Sequence, residues 1–144
     1  MSRELPSNIV LFVLRAMVGV NIALLHGWDK LHHFSSRIGS VPDQLNIGSK
    51  YALMIAIAGE FVGGILMATG LLGRFGAFLV AFVSALALAA TYHGSAWHER
   101  ELWGLYLAGS LTVLLLGGGR YSLDSVVWKK LGKGGGAKSA PPKK

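Results

Sequence analysis

Residues 51–72, YALMIAIAGEFVGGILMATGLL, form an apolar run interrupted by a single charge, Glu60. About 20 mainly apolar residues cross the roughly 30 Å hydrocarbon layer of a bilayer as an α-helix, since a helix satisfies its own backbone where no water can. The run is therefore read as a membrane span. Three more runs flank it: Ile9 to Leu31, Phe75 to Tyr92, and Leu102 to Leu116, the last slightly short and extending toward Glu101 or Gly119. Gly73-Arg74 leaves almost no room between the second and third runs, so these two must be antiparallel neighbours. Leu31 to Lys50, with Gly39, Pro42 and Gly48, is an external loop, and His93 to Arg100 is a short polar one. The first run does not read as a cleaved signal peptide. Only Arg3 represents a basic n-region, and Asn21, His26, Trp28 and Asp29 follow without a small-residue cleavage pattern. The predicted fold class is all-α, a four-transmembrane-helix bundle.

Composition agrees. The 144 residues allow one compact domain, 52% are apolar, and the 15% that are charged fall short of the roughly one quarter usual in soluble domains. Twenty glycines suit membrane helices that pack closely. The net charge of +7 is concentrated in the C-terminal tail, so it offers no basic folded face for nucleic acid. The absence of cysteine excludes disulfide relays, thiolate metal sites and covalently attached c-type haem.

Beyond Gly117-Gly118-Gly119, Ser122-Leu123-Asp124 reads as a helix start with Ser122 as N-cap. Leu123, Val126, Val127, Trp128 and Leu131 beside Lys129 and Lys130 predict a short interfacial helix. From Gly132 the chain is Gly, Lys, Ala, Ser and Pro and is predicted to be disordered, in solution or against anionic lipid. With four spans both termini share a side. That side holds nine basic residues (Arg3, Arg74, Arg120 and six lysines from Lys129 onward), against Lys30, Arg37, Lys50 and Arg100 on the other. The positive-inside rule therefore places both termini in the cytoplasm. Trp28, Tyr92, Trp97, Trp103, Tyr121 and Trp128 fall near headgroup depth, as an aromatic belt does.

Each ionisable side chain inside a span needs a reason, because insertion near the bilayer centre costs roughly 2.5–3.5 kcal/mol. Arg15 shares a helical stripe with Gly19, Ile22, His26 and His33, with Lys30 at its edge. It either snorkels to the headgroups or joins an inward polar seam. Glu60 lies about 14 Å into its helix, near the midplane, among Gly59, Gly63 and Gly64. A carboxylate there is neutral or paired, and Arg15 and His26 are the expected partners. It fixes helix register, or it handles protons or a ligand.

All five histidines fall on or near the non-cytoplasmic face: His26 and His32-His33 end the first helix, His93 ends the third, and His98 precedes the fourth beside Glu99 and Glu101. Histidine and carboxylate suit quinone carbonyls, metals and proton exchange. There is no HExxH and no tight metal spacing, so no metal is expected. A haem between His26 and His93 is not favoured either.

The same residues resemble the DoxX family of small four-helix bacterial membrane proteins. The resemblance is carried by Arg15, His26-Gly27 with Lys30, Gly59-Glu60 with Gly63-Gly64, Gly70 and Arg74, and Glu101. Its most specific part is Gly117-Gly118-Gly119-Arg120-Tyr121-Ser122-Leu123-Asp124. It makes residues 1–131 a DoxX-like membrane domain and 132–144 a tail, and it implies a bacterial plasma-membrane location. The family is functionally varied, one relative resembling the membrane subunit of a thiosulfate:quinone oxidoreductase. What the resemblance implies is a subunit of a redox complex that positions a quinone or docks an oxidoreductase partner. In that expectation Glu60, His26 and Arg15 carry the chemistry, and His93 and Glu101 contact the cofactor. The alternatives are a non-catalytic membrane scaffold that recruits a partner and, less favoured, a small-solute carrier formed by dimerisation.

Overall fold

The computed structural model describes residues 4–91, 97–117, 119 and 121–124. Among them every regular element is helical. Helix α1 occupies residues 4–32 in three consecutive parts: Glu4–Asn21, a π-helical turn Ile22–Gly27, and Trp28–His32. A short α2, Phe34–Arg37, follows. Helix α3 occupies residues 49–69 and is likewise built as Ser49–Ile57, a π-helical turn Ala58–Val62, and Gly63–Thr69. Helices α4 (Gly73–Thr91) and α5 (Trp97–Leu116) complete the order. Three stretches are long and apolar enough to cross a membrane: Ser7–His32, Ser49–Thr69 and Gly73–Thr91. Helix α5 has 20 residues, but its first five include His98, Glu99, Arg100 and Glu101, which leaves the apolar part to Leu102–Leu116.

The helices close into a ring in which α1 packs on α3 and α5, and α4 packs on α3 and α5. Ile22, Met67, Ala77, Val80, Tyr106 and Val113 fill the centre. Outward, Val10, Met17, Leu25, Phe75, Leu105 and Leu115 are exposed. In water this would be an extended apolar patch; in lipid it is the solvent-matched face of a bundle whose backbone is satisfied inside its own helices.

Small residues set the spacing. A Cβ on Gly19 would sit 2.5 Å from the Gly64 carbonyl oxygen, and one on Gly64 would sit 2.7 Å from that of Gly19. The backbones of α1 and α3 thus touch with nothing between them, as small-residue membrane interfaces allow. Helix α3 stops at Thr69, three residues before the end of the apolar run. Gly70 takes the left-handed conformation (φ 71°), and its N–H reaches the carbonyls of Leu66 and Met67 at 2.9 and 3.2 Å. This is the C-terminal cap that glycine makes cheaply. The turn into α4 is consequently Gly70-Leu71-Leu72, where the sequence suggested Gly73-Arg74.

The run after α5 latches onto this turn. The Asp124 carboxylate accepts the backbone N–H of Leu72 at 2.9 Å and of Gly73 at 3.2 Å, and the Asp124 N–H donates to the Gly70 carbonyl at 3.2 Å. Asp124 therefore caps the start of α4 from a distant part of the chain. Asp124→Ala is expected to lower stability by about 1–2 kcal/mol, the range for a lost helix cap, measured as a shifted unfolding midpoint in mixed micelles. Beyond Asp124, the predicted interfacial helix and the tail lie outside the described residues.

Candidate functional site

The two π-helical turns pack against each other. A π-turn spreads its hydrogen bonds to i+5 and is found mostly as a local insertion, often at functional sites. It sets the residues that follow back by about one residue's rotation, roughly 100°. Here one turn contains His26 and the other Glu60. Gly27 lies against the Phe61 backbone, where an added Cβ would stand 2.6 Å from the Phe61 nitrogen, and Gly59 lies against Val83. The close approach brings the end of α1 over the middle of α3.

The result is an ion pair between Lys30 Nζ and Glu60 Oε1. Glu60 is 2% exposed, and its second oxygen, Oε2, accepts no hydrogen bond among the described residues. Lys30 Nζ also lies 5.7 Å from the centre of the Trp103 ring, within cation–π range. Trp103 packs tilted on His26 at 5.0 Å, and His26 meets Tyr106 edge-on at 5.5 Å. An ammonium, a carboxylate and three aromatic rings thus form one cluster at the junction of α1, α3 and α5.

A cavity of about 350 Å³ opens beside this cluster, within the size range of small-molecule sites. Its walls are apolar, from Ile55 and Ala56 of α3 and from Val83, Leu86 and Ala87 of α4. Lys30, Glu60 and Trp103 also line it. Arg37, Gln44 and Glu99 bring polar groups to it, and Val41, Pro42 and Leu45 of the first loop also line it. That loop is itself ordered: Asp43 accepts the N–H groups of Ile47 at 3.0 Å and Gly48 at 2.6 Å, and Arg37 pairs with Asp29 at 2.5 Å.

The residues singled out from the sequence are distributed unevenly around this site. Glu60 and His26 belong to the cluster. Arg15 does not. It is 1% exposed, donates through Nη2 to the Tyr121 carbonyl at 2.5 Å, and stands 5.3 Å from the Phe12 ring. Its guanidinium occupies the space that a side chain on Gly70 would need. Arg15 thus joins the latch at the far end of the bundle, neither snorkelling nor pairing with Glu60. Glu101 is exposed near the start of α5, and its neighbour Glu99 lines the cavity instead. His93 lies outside the described residues. Among those residues no group of three or more metal-ligating side chains is close enough to hold a metal. Trp103, assigned to the aromatic belt by its position, is turned inward, whereas Trp28 and Trp97 are exposed as belt residues should be.

Sequence reasoning missed Lys30 as the partner of Glu60, and with it Trp103 and Tyr106. One signal was available: within the apolar runs only Arg15 and Lys30 are permanently charged cations, so one of them had to answer Glu60. Stepping at 100° per residue left Lys30 at the edge of the Arg15–His26 stripe, because that stepping contains neither the π-turns nor the register between α1 and α3.

No curated protein and no solved structure matches the chain. Residues 10–94, which hold Arg15, the Lys30–Glu60 pair and most of the cavity wall, match the DoxX family, DoxX. The run from Gly117 to Asp124 lies beyond the matched residues. With more than half of its length matched and an all-helical, membrane-type bundle, the chain belongs to the DoxX family.

Proposed function

We propose that this protein is the membrane subunit of a quinone-linked redox complex, holding the quinone headgroup in the cavity beside Lys30 and Glu60 while a partner oxidoreductase supplies electrons. The observation that carries this reading is a buried ammonium–carboxylate pair, one oxygen of it unsatisfied among the described residues, in the lining of a largely apolar cavity of about 350 Å³. Such a site is mostly apolar with a few convergent polar groups, the usual build of a small-molecule pocket. A quinone, when bound, takes up two electrons and two protons. Lys30 has three donors and spends one on Glu60 Oε1, which leaves donors for a carbonyl. Glu60 is the proton-exchanging group beside it, and Trp103, held by His26, walls the ring. The chain has no cysteine, so thiol or iron–sulfur chemistry belongs to the partner. The subunit sits in the plasma membrane with both termini cytoplasmic, and the cavity then faces the non-cytoplasmic side beneath the first loop. Arg15 holds the latch at the other end.

The test is purification from the native membrane in mild detergent, with mass spectrometry of co-eluting proteins, quinone extraction and an absorption spectrum. A bound quinone and a co-eluting oxidoreductase are expected, with Glu60→Gln lowering quinone-dependent oxidation about a hundredfold, within the range for a lost proton-transfer group. No extracted quinone, and no quinone-dependent oxidation with any co-eluting protein, overturns the reading.

A second reading has its own support: Glu60 sits where Gly27 meets Phe61 and Gly59 meets Val83, two close helix contacts that leave no room for a Cβ. There the pair would fix register in a non-catalytic scaffold that recruits a partner. Under that reading Glu60→Gln lowers the stability of the bundle, leaves partner retention intact and causes no loss of activity beyond the loss of folded protein.

A further inference from the structure

We infer that the cavity is selective for an aryl hydroxyl, so that it holds the hydroxyl-bearing, reduced form of a ring ligand more tightly than the carbonyl-bearing, oxidised form. The inference deepens the quinone reading and partly rests on it, since the shared chemistry is that of a hydroquinone or of any simple phenol.

Glu60 is paired with Lys30, and an ionised carboxylate only accepts hydrogen bonds. Oε1 has its donor in Lys30, and Oε2 has none among the described residues. A buried acceptor left unsatisfied is destabilising, and more so in a low-dielectric wall. The terminal torsion of a glutamate is broad and roughly two-fold, so a small rotation turns Oε2 to the cavity that Glu60 lines without releasing Lys30. A ligand satisfies Oε2 only by bringing a donor. A quinone carbonyl brings none, nor does an aryl methyl ether. A phenolic hydroxyl does, and it also retains an oxygen lone pair for Lys30. The ring of such a ligand has the apolar walls of Val83, Leu86 and Ala87 and the side chain of Trp103 to lie against. Charge-bearing donors such as amines meet Lys30 at close range and are disfavoured by like-charge repulsion.

The experiment uses the full chain in nanodiscs, with tryptophan fluorescence and equilibrium dialysis as readouts. Four probes are compared: a short-chain hydroquinone kept reduced, its quinone, its dimethyl ether, and a redox-inert alkylphenol. The hydroquinone and the phenol are expected to bind about tenfold or more tighter than the quinone and the ether, the size of one satisfied buried acceptor. In Glu60→Gln, whose amide presents a donor as well as an acceptor, hydroquinone and quinone are expected to converge. Ala87→Phe, which narrows the cavity from α4 without touching the ion pair, is expected to weaken all four probes and serves if the Glu60 variant does not fold. Equal affinity of hydroquinone and quinone in the unaltered protein overturns the inference and leaves the quinone reading standing. Binding of the alkylphenol but of neither hydroquinone nor quinone overturns the quinone reading and the preference for the reduced form together. Binding of none of the probes overturns the inference.

Discussion

Lys30→Met is expected to destabilise the folded bundle by about 3–5 kcal/mol, the range for removing one partner of a buried ion pair. The reason is the asymmetry between making and breaking such a pair. Glu60 is almost fully buried and only 17% of the Lys30 side chain is accessible. Methionine keeps the stem's volume and removes the charge, so Glu60 must stay buried without its counter-ion or take up a proton. The double variant Lys30→Met/Glu60→Leu is expected to recover most of the loss, since replacing both charges by apolar groups removes the desolvation penalty together with the attraction. Unfolding by sodium dodecyl sulfate in mixed micelles measures both. A single variant as stable as the parent would mean that the pair does not form in the membrane. A double variant as unstable as the single one would mean that Lys30 acts through packing against Trp103 and not through Glu60.

Gly64→Val is the second large effect. The Cβ alone would lie 2.7 Å from the Gly19 carbonyl oxygen and 3.0 Å from side-chain atoms of Ile22 and Ala23. A backbone oxygen cannot swing aside as a side chain can, so α1 and α3 have to separate. The expected loss is about 3 kcal/mol, the upper end of the range for overpacking a close contact. The damage also propagates, because the same two helices carry Lys30 and Glu60, and ligand binding at the cavity should fall with stability. Gly104→Ala is the matched control. A Cβ at Gly104 meets nothing within 4 Å, and alanine is the better helix former, so this variant should be as stable as the parent or slightly more so. Equal losses from the two substitutions would show that helix propensity, and not the contact between α1 and α3, decides the outcome.

Both effects concern contacts between helices, and this divides what could be read in advance from what could not. Hydropathy and length belong to each segment separately. The runs around Tyr51 to Leu72 and Phe75 to Tyr92 therefore announced membrane helices, and the short link between them announced antiparallel neighbours. The absence of cysteine bounded the chemistry in the same direct way. A lone carboxylate at Glu60 within an apolar run was equally visible, because its desolvation penalty does not depend on the neighbour that answers it. The partner was another matter. Ideal 100° stepping placed Arg15 and His26 on the stripe facing inward and left Lys30 at its edge. The π-turns at Ile22–Gly27 and Ala58–Val62 changed the phase of everything beyond them, and nothing in the local pattern of apolar residues reveals such a turn.

Arg15 illustrates the same limit. Its burial cost was foreseeable, yet its position depends on Tyr121 and Gly70, one of them 106 residues away in the chain. Trp103 was assigned to headgroup depth from its distance to the start of α5, and only the packing of α1 against α5 turned it onto His26 and Lys30. Spans, turns and the presence of a buried acid follow from terms that are local along the chain: transfer free energy, helix rise and turn chemistry. The Lys30–Glu60 pair, the cavity beside it and the latch on Arg15 follow from register between helices. Register is set by which small residues let two backbones touch, at Gly19 with Gly64 and at Gly27 with Phe61, and that is a property of two segments together and of neither alone.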